Sequence, residues 1–139
     1  MVAAALAAGV LAGCGLSPAT TPAPSSSAAS AQPGRVTVAP DGVQEVTLQT
    51  EDDFKFTPDH FTVKPGTVRL TVTNVGRELN HNFRFSPGKG PAPLTAEIPL
   101  LTSGQEQTIT FAATTPGTYR FECSFHADLG QVGTMTVGG

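Results

Sequence analysis

The six residues TYRFEC (residues 118–123) alternate between two kinds of side chain: Tyr119, Phe121 and Cys123 on one side, Thr118, Arg120 and Glu122 on the other. Successive side chains of a β-strand point to opposite faces of its sheet, so this stretch reads as a half-buried strand whose inward row ends in Cys123. Outward from it, the chain breaks into short runs rich in Val, Thr and Phe. These are residues 43–50, 61–64, 68–74, 80–86, 106–112, 117–123 and 133–137. Turn signals separate them, among them Lys64-Pro65-Gly66, Asn74-Val75-Gly76 and Thr115-Pro116-Gly117. No segment of helical length carries a 3.6-residue period. Short strands in this number predict an all-β domain built as a two-sheet β-sandwich. In NHNFRFS (residues 80–86), His81, Phe83 and Phe85 share the inward face, so His81 opens one inward row as Cys123 closes another. Residues 87–104, PGKGPAPLTAEIPLLTSG, hold too much Pro and Gly for a strand throughout. They are expected to form a surface excursion with room for one turn of helix.

The chain has 139 residues, enough for one domain, and a formal net charge of −3 from 8 Lys and Arg against 11 Asp and Glu. It has no basic run or face of the kind a nucleic acid needs, which sets nucleic acid aside as a partner. Residues 1–13 are apolar but well short of the roughly 20 needed to span a bilayer as a helix, and they read as a signal peptide. They lead into Leu11-Ala12-Gly13-Cys14, which resembles the bacterial lipobox. The resemblance implies a lipid-bearing N-terminal cysteine at Cys14 and an extracytoplasmic protein anchored to the membrane. No Lys or Arg precedes Arg35, so a basic leader region is expected upstream of Met1. Residues 14–42 form a linker of Ala, Ser, Thr, Pro and Gln. Such a composition cannot bury enough apolar surface to offset its ordering entropy, so disorder is expected there and the folded domain is assigned to residues 43–139. Cys14 and Cys123 lie in contexts different enough to imply separate tasks rather than a disulfide.

Cys123-x2-His126 by itself is a common and inert arrangement. Adding His81 completes a set of one thiolate and two imidazoles, the donors that type 1 copper favours. Structural zinc is the competing metal, although it usually collects a fourth strong ligand and more cysteine. Nucleophilic Cys–His chemistry is the other alternative; it lacks a helix N-terminus or basic surround to activate the thiol.

Residues 54–137 resemble a small blue-copper protein, a cupredoxin of the plastocyanin-like kind. The segments that carry the resemblance are FTPDHFTVKPGTVRLTVTN, HNF from His81, PGTYRFECSFH and GQVGTMTV, in that family's order. The resemblance implies a Greek-key sandwich holding one type 1 copper through His81, Cys123 and His126. It implies that Asn82 and Ser124 tie the two ligand-bearing loops together. The family's pattern continues Cys-x2-His-x4-Met, and here the last position is Gln131. Stellacyanin-like proteins use an axial glutamine, so Gln131 is the implied fourth ligand. Met135 lies four residues further along the closing strand, about 13 Å when extended, and is assigned to the core. His60 reads as an exposed polar residue. Glu51-Asp52-Asp53 reads as a solvated acidic turn that could also meet a basic partner. Phe125, Ala127 and Leu129 form an apolar collar beside His126.

The implied function is a membrane-tethered, monomeric carrier of single electrons between redox protein partners outside the cytoplasm. The alternative is a copper-delivery module, which would be expected to expose its metal and to be richer in Met and His. An enzyme is not expected: the chain has three histidines, two of them already assigned to one metal.

Overall fold

Alternation of β-branched and polar residues produces ten strands within residues 32–139, the part of the chain that the computed structural model describes. In chain order they are β1 (Thr37–Val38), β2 (Gln44–Thr50), β3 (Phe56–Thr57), β4 (His60–Val63), β5 (Gly66–Asn74), β6 (His81–Phe85), β7 (Glu97–Leu101), β8 (Glu106–Ala113), β9 (Gly117–Glu122) and β10 (Val132–Val137). The expected signal peptide, Cys14 and the expected linker as far as residue 31 lie outside the described residues. One sheet runs β1-β2-β5-β8 with β3 added to β2, and the other runs β4-β10-β9-β6-β7. β2 pairs in parallel with β5 and β10 in parallel with β4, while the remaining pairs are antiparallel. The chain is therefore the all-β, two-sheet sandwich its alternation predicts.

Inward rows from both sheets fill the space between them. Val46 and Leu48 of β2 and Val68, Leu70 and Val72 of β5 meet Phe83, Tyr119, Phe121, Met135 and Val137 from the second sheet, all of them buried. The Phe121 ring sits 5.2 Å from Phe83 and 5.3 Å from Phe56, so the aromatic core extends to the residue two before Cys123. Met135 is fully buried in this cluster, paired in register with Tyr119 and Phe61.

Three strands escape the sequence reading. β1 lies in the stretch assigned to the linker: Gly34 donates its N–H to the Thr47 carbonyl and Val36 packs against the core, so the folded unit begins before residue 43. β3 has only two residues. β7 falls inside the excursion at 87–104, where no helix forms; it is the edge strand beside β6 and carries Pro99. An edge is where a sheet tolerates the N–H that proline lacks. No helix among the described residues is long and apolar enough to cross a membrane.

The arrangement brings four chain segments to one end of the sandwich. β2 finishes there at Thr50 and β6 begins there at His81. β9 runs out at Glu122 into Cys123, and β10 starts directly after Gln131.

Candidate metal centre

β6 delivers His81 and the β9–β10 connection delivers the other candidate ligands. The register of β6 against β7 shifts between His81 and Phe83, and at this irregularity three consecutive residues, His81, Asn82 and Phe83, are all buried. A bulge re-aims side chains in this way, and it turns Asn82, expected on the outer face, toward the neighbouring loop. The connection 123–131 is folded on itself. His126 N–H donates to the Cys123 carbonyl (3.1 Å), Gln131 N–H to the His126 carbonyl (3.2 Å) and Cys123 N–H to the Gln131 carbonyl (3.0 Å). A 3-10 turn, Ala127–Leu129, ends at Gly130, whose φ of 95° suits a residue without a Cβ. This tight loop brings Cys123, His126 and Gln131 to one point.

The ligand atoms of His81, Cys123 and His126 all lie within 4.8 Å of one another. His126 Nδ1 is 3.6 Å from Cys123 Sγ. That is the separation of two donors sharing one ion at roughly 2.0–2.3 Å each. The two imidazole rings stand edge to face, 5.1 Å apart. Gln131, completely buried, directs Oε1 at both: it lies 2.9 Å from His81 Nδ1 and 3.0 Å from His126 Nδ1. His81 Nε2 is buried with no hydrogen-bond partner. One thiolate, two imidazoles and an amide oxygen, in a cluster closed on the core side by apolar residues, form a donor set that suits copper. Burial holds the His81 ring below its usual pKa, the Gln131 oxygen and nearby Asp52 only partly opposing this and the His126 ring adding to it. A neutral imidazole is the form that offers a lone pair to a metal.

The surrounding contacts fix the cluster. Asn82 Nδ2 donates to Ser124 Oγ at 2.6 Å, and Ser124 N–H donates to Asn82 Oδ1 at 2.7 Å, the loop-to-loop tie expected of this pair. The Asn82 backbone N–H donates to Cys123 Sγ at 3.4 Å, which favours a thiolate. Glu122, next to Cys123, accepts from Arg84 (2.7 Å), Arg120 (3.0 Å) and Ser86 (2.6 Å), pinning β9 to β6 immediately behind the ligands.

Sequence reasoning did not single out the individual support residues between Thr50 and Phe54, and it read Asp52 only as part of a solvated acidic turn. Residues 51–53 are exposed and turn there as expected, and Asp52 in addition accepts the backbone N–H groups of Arg77 (2.8 Å), Leu79 (2.9 Å) and Glu78 (3.3 Å), holding the loop that leads to His81. Phe54 adopts φ 59°, a conformation that costs a non-glycine residue about 1–2 kcal/mol, and its ring lies 5.0 Å from that of His126. Thr50 is a hydroxyl at the end of the inward row Val46–Leu48–Thr50. A polar group in an apolar row is the one sequence signal that could have flagged it. His60 is exposed and paired with Asp59, away from the cluster. Of the apolar collar, Phe125 is 51% and Leu129 61% exposed, beside a half-buried His126.

The model of the cupredoxin-like domain family matches residues 16–137. A plastocyanin of Nostoc punctiforme is 39% identical over 92 residues, which span 60% of this chain and 65% of that protein. Plastocyanin A/B of Petroselinum crispum is 35% identical over 97 residues, covering 67% of this chain and 98% of its own length. Among solved structures, a dithionite-reduced auracyanin from Roseiflexus castenholzii superposes with a TM-score of 0.60 at 26% identity, over 68% of this chain and 97% of that one. Auracyanin A of Chloroflexus aurantiacus, described as a blue copper protein, shares the fold with a TM-score of 0.58 at 22% identity, over 70% of this chain and all of its own.

Proposed function

The chain belongs to the family of cupredoxin-like domains, and from that membership we propose that it is a blue-copper electron carrier that holds one type 1 copper through His81, Cys123 and His126, with Gln131 as the axial donor. The observation that carries the reading is the convergence of the three strong donors within 4.8 Å at one end of the sandwich. Copper supplies a one-electron couple there; the protein holds the donors in place. Cys123 contributes the thiolate that favours Cu(I), the two imidazoles favour Cu(II), and bonds from Asn82 and Ser124 keep the thiolate and His81 loops at fixed separation.

Electrons pass at the His126 edge, where the exposed Phe125 and Leu129 give a redox protein partner apolar surface. The carrier works as a monomer outside the cytoplasm. Lipid on Cys14 holds it to the membrane, since two or more acyl chains anchor durably where one does not. The stretch from Cys14 to Gln32 reaches at most roughly 60 Å when extended, enough to present the copper end to a partner in or near the bilayer. Cys14→Ala moves the protein from the membrane to the soluble fraction; an unmodified Cys14 thiol in protein made in its native host would sink the anchor.

Metal analysis and a visible spectrum of the purified protein test the copper reading. One copper per chain and an intense thiolate-to-copper band that a reductant bleaches reversibly are expected, and Cys123→Ser removes the band. A wild-type protein that takes zinc with no band, or a Cys123→Ser variant that stays coloured, would contradict it. A Cu(I) chelator separates the carrier from the delivery module. The buried, tied ligands retain copper through redox cycles, whereas a delivery site gives it up.

A further inference from the structure

An amide side chain can present either its oxygen or its NH2 to a metal, and only the oxygen is a donor. What turns Gln131 the right way is on the opposite sheet. Its Nε2 donates to Thr50 Oγ1 and, at 3.3 Å, to the backbone carbonyl of Lys55. The Lys55 carbonyl can only accept, so it selects the orientation with NH2 outward and Oε1 toward His81 and His126. The Thr50 hydroxyl can serve either orientation, and its contribution is to fix the amide plane. Thr50 is completely buried and itself immobilised: it pairs with Asn74 of β5 and Phe56 of β3, and its carbonyl accepts from Val75. The hydroxyl sits in the row continued by Val46 and Leu48, where a valine would pack at no polar cost. Its one hydrogen bond among the described residues is to Gln131. A buried hydroxyl retained for a single partner points to that partnership as its reason.

We propose that Thr50, with the Lys55 carbonyl, is the positioning residue that locks the Gln131 amide with its oxygen toward the metal-ligand cluster. The inference rests on the reading of Gln131 as metal-facing. Two consequences follow. Gln131 behaves as a rigid donor rather than a rotating one, and the strap from Thr50 to Lys55 governs the axial interaction although it contributes no ligand.

The test pairs side-chain amide hydrogen exchange of Gln131, followed by NMR in the metal-free full chain, with the visible spectrum and reduction potential of the copper-loaded chain. The variants are Thr50→Val, Thr50→Ser and Gln131→Ala. In the wild type the Gln131 amide protons exchange about 100-fold more slowly than those of a free side chain, because exchange requires local opening. Thr50→Ser retains that protection. Thr50→Val loses about tenfold of it, the worth of one hydrogen bond, and its potential moves toward that of Gln131→Ala. If Gln131→Ala shifts the potential while Thr50→Val changes neither protection nor potential, Thr50 does not position the amide and the proposal falls alone. If Gln131→Ala leaves spectrum and potential unchanged, the metal-facing reading of Gln131 fails and takes the proposal with it. Should Thr50→Val not fold, the other two chains decide. Unprotected Gln131 amide protons in the wild type overturn the lock, and slow exchange kept in Thr50→Ser supports it.

Discussion

Gln131 and Met135 lie four positions apart and have been put to different uses by the period of the strand that separates them. Gln131 precedes β10 and faces the ligand cluster; Met135 sits within β10 facing Tyr119 and Phe61, fully buried in the core. An amide oxygen is a harder donor than a thioether and favours Cu(II) over Cu(I). Gln131→Met is therefore expected to raise the reduction potential, by about 60 mV for a tenfold change in relative affinity. Met135→Leu conserves volume, so it is expected to cost less than about 1.5 kcal/mol in urea unfolding and to leave the potential alone. Voltammetry of the two variants separates the roles; a shift at position 135 with none at 131 would reverse the assignment. His81 and Cys123 were legible from alternation alone, since each ends an inward row. His126, Asn82, Ser124 and Gln131 became legible through spacing and resemblance. Thr50, Asp52 and Phe54 did not, because each acts on a residue far along the chain, and local pattern carries no information about a partner brought near by the fold.

Strands are legible to the extent that they are long and half-buried. β5 shows Val68, Leu70 and Val72 buried against Arg69, Thr71 and Thr73 less so, and its pattern stands out without help. β1 and β3 are two residues each, too short to display a period, and β7 hides behind its proline. Loops are less legible still, and the acidic triplet shows why. Its central residue, though exposed, is tied to a second loop: the carboxylate of Asp52 collects backbone N–H groups from Arg77, Leu79 and Glu78, which hold its pKa below the ordinary carboxylate range. A carboxyl with a lowered native pKa stabilises the fold above its unfolded pKa, and that contribution is lost as pH falls through the native value. Asp52→Asn keeps one acceptor oxygen and loses the charge. The variant is expected to be less stable than wild type at neutral pH, with the difference shrinking between about pH 5 and pH 2 as the wild-type carboxylate protonates. Urea midpoints across that range measure it. A gap that does not change with pH would mean that Asp52 acts as a neutral hydrogen-bond acceptor and no more.

At the scale of the whole molecule, the bonds that hold the ligand residues do not pass through a metal. Asn82 and Ser124 join the loops directly, Glu122 joins β6 to β9 through Arg84 and Ser86, and Gln131 is tied to Thr50 on the other sheet. Beneath them lies a core from Val46 to Val137 that needs no ion to exclude water. This differs from a small zinc module, where the metal supplies the folding free energy and its removal unfolds the chain. The metal-free chain is therefore expected to unfold cooperatively on heating, with β2, β5, β9 and β10 protected from hydrogen exchange as in the loaded form. Copper then adds stability by mass action, because it binds the folded chain: at a free concentration a thousand times its Kd it contributes about 4 kcal/mol. For a domain of this size that raises the melting temperature by roughly 20 °C. A frame that persists without the ion also moves little when the ion changes charge, which keeps the cost of accepting and releasing an electron low. Calorimetry with and without copper, and exchange on both forms, check the argument at its base. A metal-free chain with no cooperative transition would show that the metal holds the frame, and rigidity could then no longer be credited to the sandwich.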